Sequence, residues 1–369
     1  MRKFLKIAAI ILASITSVTL AYIVVRILLA QILPLKFFGI IAGASIILIL
    51  FFILANIIKK SPLWLKITAS VFEVVALVLC GFGIFYLERS MNFVSKITTA
   101  STTTEQVKDI TNTPFIFLVS GIDTSGDIEN VSRSDVNMLV VINPNVEKIL
   151  IVNIPRDYYV EIDGTGQKDK LTHSGLYGID TTIKTIEKFM EIKTNYYIRV
   201  NFDTVKEMVN IIGGLELDSD ANFTAWTDKG CHFTIGINKV DGRCALAFAR
   251  ERKTYGTGDM HRVENQGQVT EKIIEKLTNP SFFASHYLEI LNAAENNLQT
   301  SISGENLMKL INFELDKTPN WQVERYALKE FEHYTYGGLY PDMLLWMGDP
   351  DWDTVKIARE KIQALMAEE

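Results

Sequence analysis

Three clusters of charged residues sit where strand-like segments end, and each has the residue types that phosphate chemistry uses. The first joins Gly121-Ile-Asp123 to Arg133-Ser-Asp135. Asp123 closely follows one β-rich run and Asp135 directly precedes the next. The two carboxylates can therefore share a hard cation such as Mg2+ or Mn2+, which takes oxygen ligands and often binds substrate phosphate as well. The plainer reading is that each aspartate forms a turn or caps a helix. The second cluster is Ile154-Pro-Arg156-Asp157. A guanidinium is a planar fork of donors matched to phosphate oxygens; the alternative is a neighbourhood of surface salt bridges. The third is Ala249-Arg250-Glu-Arg252, followed by Asp259, Arg262 and Gln266. A spacing of two on an extended segment points Arg250 and Arg252 the same way. A spacing of four on a helix puts Arg262 and Gln266 on one face. With Gly256-Thr-Gly258 turning the chain back, four donors can converge on one anion; a solvated charged face is the competing reading. Lys170, in Lys170-Leu-Thr-His173, is a softer addition to such a site, and His173 reads as a structural hydrogen-bonding histidine rather than a base.

These clusters need elements to hold them. Phe115–Ser120, Val136–Ile142, Lys148–Ile154 and Tyr196–Asn201 are β-rich runs bounded by turn residues. Asp180 begins a helical stretch with Ile183, Ile186 and Met190 on one side. Asp203 caps a helix striped by Val205, Met208, Val209 and Ile212, which Gly213-Gly214 ends. Cys231 to Phe248 reads as a hairpin, and Arg262 to Leu277 as a charged amphipathic helix. Strands alternating with helices predict a central sheet covered on both faces. Cys231 and Cys244 flank the predicted hairpin, which leaves a disulfide between them open; Cys80 reads as a small apolar residue.

The first quarter of the chain is of another kind. No charge occurs from Ile7 to Val25 or from Phe37 to Ile58, and only Glu73 from Ile67 to Leu87. Each run has the length of a helix that crosses a hydrocarbon core. Arg2, Lys3 and Lys6 precede the first span, and Lys59, Lys60 and Lys66 lie between the second and third. The positive-inside rule then puts the N-terminus in the cytoplasm and everything after about Glu88 outside. The expected division is a three-span anchor at 1–88, a Thr-rich linker at 89–113 and an extracytoplasmic domain at 114–369. Residues 1–92 carry a net charge of +7, leaving −13 of the total −6 for residues 93–369. A domain this acidic is a poor partner for nucleic acid.

Taken in order, Gly-x-Asp, Arg-Ser-Asp, Ile-Pro-Arg-Asp, Lys-Leu-Thr-His, Ile-Gly-Gly, Ala-Leu-x-x-x-Arg-x-Arg and Gly-Asp-x-x-Arg-x-x-x-Gln resemble the motifs of the LytR-CpsA-Psr family of bacterial cell-wall enzymes, from about Pro114 onward. Lys170–Asp180 and the three spans are most similar to its capsule-associated CpsA branch. The resemblance implies an α/β/α sandwich with a central mixed sheet and an apolar pocket for a polyprenyl chain. It implies a reaction: movement of a glycopolymer from an undecaprenyl-pyrophosphate carrier to a sugar hydroxyl of peptidoglycan, leaving a phosphodiester. It also implies roles. Asp123 and Asp135 would hold Mg2+ (or Mn2+). Arg156, Arg250, Arg252 and Gln266 would bind pyrophosphate, with Arg133 and Lys170 at further motif positions. Asp259 and Arg262 would complete the catalytic set, Asp259 by helping to deprotonate the acceptor. The implied partners are the lipid-linked polymer, peptidoglycan, the membrane and wall- or capsule-assembly proteins. Some three-span relatives carry an accessory domain between membrane and catalytic domain; here only about two dozen linker residues stand there. Two other functions fit the same residues. One is a pyrophosphatase acting on the lipid-linked donor. The other is a non-catalytic lipid-binding or regulatory membrane protein. Capsule polysaccharide and teichoic acid both stand as candidate polymers.

Overall fold

The computed structural model describes residues 2–30, 33–57, 62–99, 104–124, 128–254, 259–295 and 297–369. These fall into two units, Met1–Ser95 with Leu307–Lys317, and Lys96–Asn306 with Thr318–Glu369.

The first unit contains three long helices, α1 (Arg2–Ala30), α2 (Leu35–Ile57) and α3 (Leu63–Ile97). All three are long and apolar enough to cross a membrane. Their small shared interior holds Leu20, Ile23, Phe52, Ala76 and Cys80. Large apolar side chains point outward instead, such as Leu29 at 75% and Ile47 at 68% exposure. That is the inverse of a water-soluble bundle and the normal state of helices in lipid. Polar contacts tie α3 to its neighbours: Asn56 Nδ2 donates to Glu73 Oε1 at 3.1 Å, and Arg26 Nη2 to Glu88 Oε1 at 2.7 Å and to Met91 Sδ at 3.4 Å.

The second unit follows in chain order. First come β1 (Phe115–Ile122), β2 (Ser134–Asn143), β3 (Lys148–Ile154), β4 (Tyr159–Ile162) and β5 (Gln167–Lys170). A 3-10 turn at Leu171–Tyr177 leads to α4 (Ile179–Met190), β6 (Tyr196–Asn201), α5 (Phe202–Ile211), β7 (Leu215–Ser219), β8 (Phe223–Thr224), β9 (His232–Phe233), β10 (Gly236–Val240) and α6 (Gly242–Ala249). Then come α7 (Asp259–Leu277), α8 (Pro280–Ser285), α9 (Tyr287–Glu295) and β11 (Leu298–Thr300); α10 (Gly304–Lys317) belongs from Leu307 on to the first unit, and β12 (Gln322–Ala327), β13 (Glu330–Tyr336), β14 (Leu344–Pro350) and α11 (Trp352–Ala367) complete the second.

The sheet is mixed, in the order β11-β6-β1-β2-β3-β12. β1 runs parallel to β6 and β3 to β12, while β2 is antiparallel to both its neighbours. Its central strands are apolar on both sides because both faces are covered. On one face Ile116, Leu118, Leu139, Val141, Leu150 and Val152 pack against Ile183 and Ile186 of α4 and Val355 and Ile362 of α11. On the other, Phe115 and Phe117 meet Tyr196 ring against ring, and α7 crosses β3. The expected α/β/α sandwich with a mixed sheet is what forms.

Three local expectations need correction. The helix after β6 is capped by Asn201, not Asp203: the Asn201 side chain accepts from Thr204 N in a capping box, and Asp203 lies in the first turn beside Lys206. The predicted hairpin at Cys231–Phe248 does not exist. β9 pairs with β8, β10 pairs with β7, and the rest is α6. Asp241 accepts from Cys244 N and caps a run of Ala and Leu, the strongest helix formers, which outweighs the aromatic content that suggested a strand. Cys231 and Cys244 nevertheless meet, in a disulfide with Cα atoms 5.4 Å apart. Part of the expected linker is structured. α3 continues to Ile97, and Ile110 is fully buried in the second unit. There Val107 N donates to Tyr196 Oη at 3.0 Å.

Candidate active site

One edge of the sheet collects the carboxyl ends of β1, β3 and β6 and the amino end of β2. Open α/β sheets bind ligands at such an edge. In the β1–β2 ladder Gly121 faces Val136 and Ile122 faces Ser134, so Asp135 is the extra residue of a β-bulge. A bulge re-aims the side chain it frees. Asp135 turns to accept from Arg156 Nη1 at 2.7 Å and from Thr172 Oγ1 at 2.8 Å. Just past β1, Asp123 N donates to Arg133 O at 3.3 Å. Buried Arg199 of β6 pins the loop that follows by donating to the carbonyls of Ile128 and Asn130 at 3.0 and 2.9 Å.

From Asp135 the charges run as a chain. Arg156 Nε stands 3.3 Å from Asp157 Oδ2, and Lys170 Nζ donates to Asp157 Oδ1 at 2.8 Å. Burial pushes the Asp157 carboxyl up, but Arg156, Lys170 and Arg262 together hold it below the usual carboxylate range. Arg262, itself buried on α7, is thereby close enough to be felt. Asp123 goes the other way. Burial and then the negative charge of Asp135 raise its carboxyl, against the pull of Arg250, Arg156 and Arg133. Arg250 Nη2 lies 3.7 Å from Asp123 Oδ1, and its guanidinium stacks over Phe202 at 4.4 Å.

Asp123, Asp135, Arg133, Arg156, Arg250, Lys170 and Arg262 are thus gathered at one edge. Arg250 and Arg252 are not on an extended segment, as their spacing suggested. Arg250 is the C-cap of α6, and Arg252 follows in a turn, exposed, 5.8 Å from the Trp226 ring. Gln266 is half-buried one helical turn after Arg262 on α7. Asp259 starts α7, but its side chain, and the expected Gly256–Gly258 turn, lie outside the described residues. His173 has the structural place expected of it: buried, with Nδ1 2.8 Å from Asp169 Oδ1.

Sequence reasoning missed the residues that hold α7 and the turn after α6 in place. Asn153 Nδ2 donates to Val263 O at 3.1 Å, and Asn265 Nδ2 to Phe248 O at 3.1 Å. Gly267 lets α7 approach β3, because a Cβ there would stand 2.3 Å from Asn153 Nδ2. Glu251, fully buried between the two arginines, accepts backbone N–H bonds from Arg252, Lys253, Thr254 and Trp226. An acidic residue between two arginines looks like a surface residue, and nothing in its spacing marks it as inward-facing.

Among the described residues no group of three or more His, Cys, Asp or Glu is placed to hold a metal ion. The Asp123–Asp135 pair suits a different kind of site. Asp123 and Asp135 would offer carboxylate oxygens to a divalent cation that keeps waters and takes substrate phosphate for its other positions, the charge of Asp135 adding to burial in raising the Asp123 carboxyl.

Comparison with known proteins agrees with this architecture. The LytR_cpsA_psr family model matches residues 84–340, well over half the chain. An Enterococcus faecalis protein named polyisoprenyl-teichoic acid–peptidoglycan teichoic acid transferase TagU is 36% identical over 200 residues, 53% of this chain and 64% of that protein. The chain thus spans a little under two thirds of that relative's length. Among solved structures, TagT bound to LIIa-WTA superposes with a TM-score of 0.58 at 25% identity, over 73% of this chain and 97% of that one. The protein gbs0355 from Streptococcus agalactiae gives 0.61 at 22% identity, over 72% and 92%, a likeness of fold alone.

Proposed function

Because this chain belongs to the LytR_cpsA_psr family, we propose that it is a membrane-anchored phosphotransferase. In this reading it moves a glycopolymer from a polyprenyl-pyrophosphate carrier to a peptidoglycan hydroxyl. The observation that carries the reading is the meeting of a carboxylate pair, Asp123 and Asp135, with Arg156, Arg250 and Arg262 at one sheet edge. The relative named as a teichoic acid transferase supports the reaction class. Capsule polysaccharide stays an alternative polymer.

The acceptor oxygen attacks the phosphorus that bears the glycopolymer, the P–O–P bond breaks, and polyprenyl phosphate leaves. Such transfers need positioning and neutralisation of charge more than covalent chemistry from the protein. Arg156, oriented by its contacts to Asp135 and Asp157, and Arg250, stacked on Phe202, present guanidinium donors to the pyrophosphate oxygens. Arg252, Gln266, Arg133 and Lys170 add donors around them. Mg2+ held by Asp123 and Asp135 would neutralise the pyrophosphate and improve the leaving phosphate. Asp259 is the residue assigned to take the acceptor proton. A hydroxyl is a weak nucleophile and gains from a positioned carboxylate.

The test is transfer by the purified full chain in detergent from a polyprenyl-pyrophosphate-linked saccharide, with Mg2+, with and without peptidoglycan fragments. Product linked to peptidoglycan by a phosphodiester is expected. Release of free glycosyl phosphate alone, at the same rate with and without acceptor, would make the protein a pyrophosphatase. No turnover of any donor would leave a lipid-binding role.

A further inference from the structure

Glu251 is a buried carboxylate whose oxygens both serve the backbone. Oε1 accepts from Arg252 N at 3.1 Å, Lys253 N at 2.8 Å and Thr254 N at 3.2 Å, and Oε2 from Trp226 N at 2.9 Å. Three successive N–H groups on one oxygen force the chain after α6 into a tight turn about that side chain. The fourth bond draws in a different segment, the loop between β8 and β9. Its far end is tied to α6 by the Cys231–Cys244 disulfide, and Ala225 N donating to Cys231 O at 3.0 Å closes the loop on itself. The Trp226 ring, 38% exposed, ends with Lys253 Nζ 4.2 Å and the Arg252 guanidinium 5.8 Å from its centroid. Cations held over an aromatic face lose rotational freedom and keep their outward donors.

We infer that Glu251 is a positioning residue of the active site: it folds the 251–254 turn around its carboxylate and pulls Trp226 beneath it, so that Arg252 and Lys253 form a fixed cationic lip beside Arg250. This makes Lys253 a further phosphate donor and Trp226 its support. The inference rests on reading the arginines as phosphate ligands. Glutamine cannot replace Glu251. Whichever way the amide turns, its NH2 faces a backbone N–H, donor against donor.

The experiment uses the full chain in detergent, with inorganic pyrophosphate binding by titration calorimetry and donor KM and kcat as separate readouts. Glu251→Gln is expected to weaken pyrophosphate binding and raise donor KM about tenfold, as for the loss of a charge-assisted contact. In an Arg252→Ala/Lys253→Ala background it is expected to add nothing, because the groups it positions are gone. If Glu251→Gln does not fold, Trp226→Ala serves instead. It leaves all four backbone bonds in place and is expected to cost roughly threefold in pyrophosphate affinity in the wild-type background and nothing in the double variant. The inference is overturned if either substitution costs the same factor in both backgrounds, if Glu251→Gln binds pyrophosphate like wild type, or if wild type does not bind pyrophosphate. Pyrophosphate binding with the expected coupling but no transfer to peptidoglycan would sink the proposed function and leave the role of Glu251 standing.

Discussion

Arg250 and Arg252 make different contacts, and that difference can be measured. Arg250 is stacked on Phe202 beside Asp123, whereas Arg252 is exposed over Trp226. Arg250→Ala is expected to lower kcat on the lipid donor about 100-fold or more, as for loss of a donor aimed at developing charge. Arg252→Ala is expected to act more on KM. Steady-state kinetics on both variants, with circular dichroism to show an intact fold, checks the split. Asp169 gives a pH test away from the reacting groups. Its Oδ1 accepts from Lys170 N and stands against His173 Nδ1, and its Oδ2 accepts from Leu339 N at 2.7 Å. Burial raises this carboxyl, but the hydrogen bonds from His173 and Leu339 outweigh it and leave it below the usual range. A depressed carboxylate stabilises the fold fully above its unfolded pKa, near 3.9, and loses that contribution as pH falls through the folded value. Asp169→Asn should therefore destabilise by roughly 1–3 kcal/mol at neutral pH. The gap in thermal midpoint from wild type should close below about pH 4; a gap that stays constant down to pH 3 would contradict this. At this scale the sequence was readable where chemistry and strand ends coincide. Asp123, Asp135 and Arg156 are carried to one edge because each flanks a run of β-branched residues. Glu251, Asn153 and Asn265 were not readable, because their roles lie in backbone atoms that only the tertiary fold brings to them.

Elements were legible in proportion to how local their causes are. Lys148–Ile154, a β-rich run whose Ile149–Val152 is wholly apolar, is β3 to the residue. The stripe of Ile183, Ile186 and Met190 is the buried side of α4. The hairpin expected at Cys231–Phe248 failed because β10 finds its partner in β7, on the far side of β8 and β9, and no local pattern records that pairing. Two tests belong here. Gly175, in the 3-10 turn, lies so close to the start of β2 that a Cβ would stand 2.5 Å from Ser132 O and 2.6 Å from Ser134 N. Backbone cannot yield as a side chain can. Gly175→Ala is expected to cost about 1–3 kcal/mol of overpacking and to lower transfer, since the displaced loop carries Arg133 and Asp135; denaturant unfolding and the transfer assay read the two effects. The disulfide closes a loop of sequence separation 13 in the region that supplies Trp226. Replacing both cysteines by serine should lower stability by about 3 kcal/mol and raise donor KM. An unchanged midpoint on reduction would show that this region holds without it.

For the whole molecule, the helices α1 to α3 matter if the donor is a polyprenyl lipid. Such a substrate never leaves the bilayer, so anchoring turns a search through volume into a search over a surface. Exchanging residues 1–88 for a cleaved secretion signal should therefore reduce wall-polymer attachment in cells more than it reduces turnover of a short-chain, water-soluble donor in vitro. Equal losses in the two assays would argue that the anchor serves folding rather than encounter.

The placement of the three cysteines has a use beyond stability. Two are locked together in the second unit and the third, Cys80, is buried among the helices of the first. The protein therefore carries its own sidedness reporter. On intact cells stripped of their wall, a bulky membrane-impermeant maleimide should add no mass before reduction and two labels after treatment with an impermeant phosphine. If those two labels appeared only after the membrane was permeabilised, the domain would face the cytoplasm, where such a bond seldom persists, and the reading of this chain as a cell-wall enzyme would fall with it.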